Sequence, residues 1–181
     1  LSIMSELRTN RIVPRDGLPA GSAGGIIQVK STTMTTTASY SISGMTWTEV
    51  TPLTTSITPT RSDSKILVMV TMGGLESNGN NQRLGMALRR NSSNIAVNSD
   101  SSGQTSASWA GAGTGSSVNE IKNHPSFNHL DSPGTTSAVT YKVMITTEGS
   151  YTMYVNRSVS DAASSSVFRT ASSLTLMEIS G

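Results

Sequence analysis

The apolar run at residues 65–72, KILVMVTM, constrains the fold of this chain more than any other segment. Five successive positions, 66–70, carry no polar side chain. The run is far shorter than the roughly 20 apolar residues that cross a membrane, and Gly73 and Gly74 end it at a length typical of a strand. A strand with two apolar faces needs cover on both of them. We therefore predict a central strand that lies inside a sandwich or whose outer face meets another subunit.

The composition indicates a β-rich protein with long polar loops. Charged residues make up only 13% of the chain, about half of their ordinary share, whereas Thr, which favours strands, and Ser and Gly, which favour turns, are frequent. The absence of Cys excludes disulfides and thiolate metal sites, and it suits folding in a reducing cytoplasm. The formal charge of +2 comes from scattered basic residues, so we predict no nucleic-acid partner. The sequence has no apolar run long enough to span a membrane, so we predict no insertion into one.

The first 25 residues differ in composition from the rest of the chain. Pro14 and Pro19 interrupt them, and they end in AGSAGG at residues 20–25, which is typical of a flexible linker. Two interpretations are open: a frayed terminus, or an extended arm whose apolar residues become ordered on a partner. The sequence thus predicts an N-terminal attachment arm and linker at residues 1–25 and a separate domain at residues 26–181.

Residues 26–181 read as short strands joined by polar loops. Apolar alternation predicts strands at 84–89 and 139–146, and the latter is predicted to form a hairpin with 151–155. The last strand is predicted at 173–179. Long polar loops are predicted at residues 76–81, 91–104, 111–119 and 131–137. This pattern predicts an all-β fold, an antiparallel β-sandwich with a jelly-roll-like course, and immunoglobulin topology is the alternative.

Few residues of this chain suggest chemistry. His124, His129 and Asp131 lie close together in the sequence, but their spacing fits no common zinc pattern, so a structural role is favoured. No pair of carboxylates is marked out as a glycosidase pair. Trp47 and Trp109 could stack on sugars, although packing in a core or interface is the favoured interpretation for each. We predict no catalytic residue, no metal site and no cofactor.

Several segments resemble short, tail-fibre-like virion structural proteins of marine tailed bacteriophages of the cyanophage type. The residues that carry the resemblance are SELRTNRIVPRDGLP at 5–19, GGIIQV at 24–29, SKILVMV at 64–70, LDSP at 130–133, YVNRS at 154–158 and LTLMEI at 174–179. The resemblance implies an N-terminal attachment arm, a β-rich head, a homotrimer and no enzymatic activity. It implies synthesis in the host cytoplasm and a place in the virion, among other tail or capsid proteins.

Three groups of functional residues are expected. Residues of the arm are expected to attach the protein to the virion: Leu7, Arg8, Arg11, Ile12, Val13 and Pro14. The apolar run is expected to supply an oligomer interface: Ile66, Val68 and Val70. The polar loops are expected to contact a host surface glycan or protein: Asn98, Ser101, Trp109 and Thr114. The alternative function is a capsid decoration or knob protein, and a glycan-degrading enzyme is a remote alternative.

Overall fold

A computed structural model describes residues 25–100, 102–115 and 118–181. The predicted attachment residues of the arm and Ser101 lie outside these ranges. The described residues form twelve strands, and all pairings between them are antiparallel. In chain order the strands are β1 (Ile26–Met34), β2 (Ala38–Ile42), β3 (Thr48–Ile57), β4 (Lys65–Thr71), β5 (Leu75–Ser77), β6 (Asn80–Arg90), β7 (Ser93–Ile95), β8 (Trp109–Thr114), β9 (Ser126–Asp131), β10 (Val139–Thr147), β11 (Tyr151–Val155) and β12 (Ser172–Ile179).

Two larger sheets pack face to face in a sandwich. Sheet A has the order β1-β12-β4-β9, and sheet C has the order β3-β10-β6-β7, with β8 also paired to β6. If β2, β5, β7 and β11 are set aside, eight strands remain. Counted along the chain, sheet A then reads first, eighth, third, sixth, and sheet C reads second, seventh, fourth, fifth. This is the strand order of a jelly roll, so the predicted fold class is confirmed and the immunoglobulin alternative is wrong.

A third sheet, sheet B, has the order β2-β11-β5. Its outer strands directly follow the strands of sheet A, because β2 follows β1 and β5 follows β4 after gaps of only a few residues. Between these two pairs, β12 lies in sheet A and β11 lies in sheet B. Sheet B therefore continues sheet A past two bends, one between β1 and β2 and one between β4 and β5, which we call the two corners. The boundary between the two sheets at these corners is the seam. The chain leaves the seam after β11 and returns to it at β12.

The hydrophobic core lies between the inner faces of the sheets. Every second residue of β4 and β12 is buried, as expected for strands with one face on the core, whereas β10 alternates only at its start and is buried on both faces from Val143 to Thr147. Sheet C contributes the largest of these side chains, and Tyr141, Leu88 and Ile145 are among those fully buried. The apolar run at 65–72 is therefore a strand, as predicted, and it lies in the interior of sheet A.

The structure corrects the oligomer interface that was expected from this run. The side chains of Ile66, Val68 and Val70 are fully buried in the core of a single chain, so they offer no surface to a second subunit. The intervening residues Leu67 and Met69 point to the outer face of sheet A and are only half-buried. The run does have two apolar faces, but the face that remains available to a second subunit is the outer one, which carries Leu67 and Met69.

Other sequence predictions also need correction. The hairpin between β10 and β11 does not form, because β3 and β6 already occupy both edges of β10, and β11 pairs with β2 and β5 instead. The predicted loops at 76–81 and 111–119 overlap β5, β6 and β8. Strand β9 was not predicted; it is an edge strand that pairs only with β4, so much of it is polar and exposed.

Asn156 closes the seam where β11 ends. It is fully buried, and its backbone adopts a left-handed conformation with φ of 62°, which Asn tolerates better than most residues. Its Nδ2 donates to the carbonyls of Met34 (2.9 Å) and Thr36 (3.0 Å), between β1 and β2. Its Oδ1 accepts the Ser172 hydroxyl at 2.5 Å.

The backbone of Asn156 binds the other corner. Its N–H donates to the Gly74 carbonyl, between β4 and β5, at 3.0 Å, and its carbonyl accepts the Thr170 N–H at 3.0 Å. The Ser172 hydroxyl also accepts the Gly73 N–H at 3.0 Å. One residue thus satisfies the polar backbone groups that both corners expose where the chain leaves the sheet.

We expect the Asn156→Gly substitution to lower the free energy of unfolding by about 3 kcal/mol, because a buried carbonyl, a partly buried carbonyl and a buried hydroxyl lose their partner. Glycine keeps the left-handed backbone without strain, so the loss reports the side-chain hydrogen bonds. Asn81→Gly is the matched control, since Asn81 has a φ of 56° and is exposed. It should change stability by less than about 1 kcal/mol in the same urea titration. Equal losses in the two variants would contradict the role of Asn156.

Candidate functional site

A cleft opens on the outer face of sheet C because three adjacent positions there carry small side chains. In the sheet register, Gly85 of β6 pairs with Ala110 of β8 on one side and with Thr146 of β10 on the other. A Cβ atom at Gly85 would lie 3.0 Å from Thr146 Cγ2 and 3.4 Å from Trp47 Cη2. The missing side chain therefore creates the floor of the cleft, and the edge of the Trp47 ring reaches over it.

The walls of the cleft come from three segments. Trp47 and Met45 precede β3, and the segment 103–107 between β7 and β8 contributes Gly103, Gln104, Thr105 and Ala107. Arg83 and Glu148 form an ion pair across the end of the cleft. The volume of this open cleft is about 520 Å³, which lies within the range of sites that bind small molecules.

The structure describes three of the four expected receptor contacts. Asn98 is exposed, and its Oδ1 accepts the N–H of Asp100 in a local turn at 2.6 Å. Ser101 lies outside the described residues. Trp109 begins β8 and packs against the hydrophobic core, with its ring over Gly111. Thr114 ends β8 and is half-buried. None of the three described residues lines the cleft, and Trp47 is the tryptophan that does.

Asp131 is buried by a cluster that joins the two sheets. It lies at the end of β9, where both of its carboxylate oxygens accept from Arg90 Nη1 at 2.8 and 2.9 Å. The Tyr141 hydroxyl donates to Oδ2 at 2.6 Å. Burial and then this hydrogen bond raise the pKa of Tyr141 far above its usual value. Tyr141 is thus a fixed donor, and the arrangement connects sheet A to sheet C.

Two buried glutamates hold loops against the sandwich. Glu76 of β5 accepts the backbone N–H groups of Lys122 and Asn123, the second at 2.8 Å, and so fixes the segment that leads to β9. Glu178 of β12 accepts from Gln28 Nε2 at 2.6 Å and from both the N–H and the hydroxyl of Thr60 at 2.7 Å. Burial raises the pKa of Glu178, but these hydrogen bonds outweigh it and hold the pKa below its usual value.

The two histidines are separate in the structure. His129 Nε2 lies 4.0 Å from Asp131 Oδ1, whereas His124 Nδ1 donates to the Gly73 carbonyl at 2.7 Å. Within the described ranges, no group of three or more His, Asp or Glu side chains is arranged to hold a metal ion. His124 instead lines a second, smaller cleft of about 360 Å³ together with Phe168, whose side chain is 75% exposed.

The residues that build the larger cleft were mostly missed in the sequence. A glycine inside an alternating strand often marks the close approach of another group, so Gly85 within β6 was a usable signal. Arg83 and Glu148 gave no such signal, because 65 residues separate them in the chain. They become neighbours only when β6 pairs with the end of β10.

Comparison with known proteins adds no family to this description: neither a protein-family model nor a curated protein matches the chain. No helix with the length and apolarity to cross a membrane occurs in the part of the chain that the structure describes.

We expect the stability that Glu178 contributes to decrease in acid. Its carboxyl has a lower pKa in the folded chain than its ordinary value of 4.5, so the folded state favours the ionised form. This contribution is fully present above pH 4.5 and is lost as the pH falls through the lower folded pKa. Thermal unfolding of the wild type and of Glu178→Gln should therefore differ most near neutral pH and converge in acid.

Glu120→Gln is the control for this series, since the Glu120 side chain is 75% exposed. It should not lower the neutral-pH unfolding temperature. A difference between the wild type and Glu178→Gln that stays constant down to about pH 2 would contradict the assignment.

Proposed function

We propose that this chain is a non-enzymatic structural protein of a tailed-bacteriophage virion, similar to a tail fibre. Its arm would attach it to other virion proteins, its head would assemble with further copies of itself, and its loops would face the host. The protein would be made in the host cytoplasm and act in the particle. The resemblance of the sequence supports the setting, and one structural observation carries the assembly: an apolar row on the outer face of sheet A.

This row crosses all four strands of sheet A. The register aligns Val29 of β1 with Met177 of β12, Met177 with Leu67 of β4, and Leu67 with Leu130 of β9. Val29 is 50% exposed and Leu130 is 54% exposed, while Met177 and Leu67 are half-buried. We call these four residues the apolar row.

Apolar residues extend the row toward one end of the sheet. Ile26, which is 60% exposed, pairs with Ile179, and Ile179 pairs with Lys65 of β4. On the opposite side of the row, Met69 lies between Thr175 and Asn128. Toward the opposite end, the outer face becomes polar across every strand: Thr33, Ser173, Thr71 and Ser126. Contiguous apolar patches with polar surroundings mark sites of association, so a sheet face divided into an apolar and a polar half favours association with further copies.

The cleft of sheet C favours binding over hydrolysis. Glycosidases use two carboxyl groups on either side of the scissile bond. Among the described residues that line the cleft, Glu148 is the one carboxylate, and Arg83 already engages it. The remote alternative of a glycan-degrading enzyme has no second carboxyl group to use at this place.

A capsid decoration protein is the alternative within the same class. An arm that holds the particle and a self-associating head would serve a capsid knob as well as a tail fibre. What distinguishes the two functions is the position on the virion, whereas the apolar row is expected to be covered in both.

We expect Leu130→Lys to prevent assembly without unfolding the head, because it places a charge in the middle of an apolar contact while leaving the core unchanged. Size-exclusion chromatography with light scattering at micromolar concentration should give the wild type three times the 18.9 kDa of one chain. The variant should give a mass close to that of one chain.

Ser126→Lys is the matched control for this substitution. Ser126 lies on the same strand and the same face, about 13 Å away along the strand, but in the polar half. It should keep the assembled mass. A wild-type mass of 18.9 kDa, or an assembled mass for Leu130→Lys, would contradict the proposed self-association.

A further inference from the structure

We propose that the cleft on the outer face of sheet C binds one neutral hexopyranose ring. The inference rests on the proposed function only for the source of this sugar, which would be a glycan on the host surface. The binding itself is a property of the purified protein. Three features of the cleft lead to it: its floor, its polar groups and the balance of its charges.

The floor offers an apolar surface for the C–H face of a pyranose ring. Gly85, the Thr146 methyl group and Ala107 form a shallow surface, and the Trp47 ring edge lies beside it. A ring with axial and equatorial C–H groups presents a flat apolar face that packs well on such a surface, and an indole contributes the largest contact area of any side chain. This surface is open to a ligand because position 85 has no side chain.

Polar side chains among the lining residues offer hydrogen-bonding groups to the hydroxyls of a pyranose ring, and we call them the rim. Gln104 supplies an amide, Thr105 a hydroxyl, Glu148 an acceptor and Arg83 a set of donors. An apolar floor with a few convergent polar groups is the usual composition of a small-molecule site. Sugar hydroxyls both donate and accept, so they match a rim that contains both types.

The charges favour a neutral ligand over an anionic one. Arg83 and Glu148 form an ion pair at the end of the cleft, so their charges compensate each other. A phosphate or a carboxylate sugar that approaches Arg83 would meet the negative charge of Glu148 beside it. A neutral hydroxyl group can accept from Arg83 or donate to Glu148 without separating the pair.

The two tryptophans provide a residue-specific test of this proposal. We would label the full-length protein with 5-fluorotryptophan, which gives one ¹⁹F resonance for Trp47 and one for Trp109, and assign them with Trp47→Phe. Methyl α-glucopyranoside, methyl α-mannopyranoside and methyl β-galactopyranoside would be titrated separately. At least one should shift the Trp47 resonance saturably, with a Kd of about 1 mM as expected for a single ring. The Trp109 resonance should stay in place because Trp109 packs against the core.

A matched pair of variants tests the location. Ala110 and Ala112 are both exposed, lie on the same strand and point to the same face, but only Ala110 lines the cleft. Ala110→Leu should fill the cleft and weaken binding at least tenfold, whereas Ala112→Leu should bind as the wild type does.

Three results would overturn the inference. The first is an unchanged Trp47 resonance with all three glycosides up to about 50 mM, well above the expected Kd. The second is a shift caused by N-acetylneuraminate and by none of the neutral sugars. Equal binding by both leucine variants would place the site elsewhere. Light scattering on the same samples reports assembly separately, so a failure to bind sugar with an intact oligomer would leave the proposed function standing.

Discussion

The hydrogen bonds of Asn156 are the constraint on which this sandwich depends. Strand β12 lies between β1 and β4 in sheet A, and strand β11 lies between β2 and β5 in sheet B. The chain must therefore leave sheet B at residue 156 and return to sheet A at Ser172. That exit exposes polar backbone groups at both corners, and a buried unsatisfied group costs about 1–3 kcal/mol. Asn156 satisfies the carbonyls of Met34, Thr36 and Gly74 at once. The jelly roll can therefore carry its third sheet without opening the core.

The sequence predicted the strands better than their partners. Strands β4, β10 and β12 were recognisable because continuous or alternating apolar residues mark buried strands. The orientation of β4 could not be read, because Ile66 and Leu67 are equally apolar and only the packed sheet decides which one points inward. Strand β5 was predicted as a loop because it contains the charged residue Glu76. In the structure the Glu76 side chain is buried and accepts hydrogen bonds from residues 122 and 123. The cleft depends on small residues at 85, 110 and 146, which become neighbours only through strand pairing.

The two outer faces of the sandwich have different chemistry, and this difference connects the structure to the proposed function. The outer face of sheet A carries the apolar row, which gains stability when it is removed from water. The outer face of sheet C carries charged and polar side chains, among them the Glu49–Lys142 ion pair at 2.8 Å, and it contains the cleft. A subunit with these faces is suited to assemble through sheet A and to present sheet C outward. Gly25, the first described residue, is held beside the C-terminal end of β12, since the Ser180 N–H donates to its carbonyl at 2.9 Å.

A cryo-EM reconstruction of the intact virion would test this arrangement most directly. The account predicts symmetric groups of the jelly-roll head in which Val29, Leu67, Leu130 and Met177 of neighbouring copies face one another. The clefts around Trp47 should lie on the outer surface of each group, and the position on tail or capsid would distinguish the two virion roles. Heads whose sheet A faces solvent, with copies meeting through sheet C, would contradict the account, as would a virion without this protein.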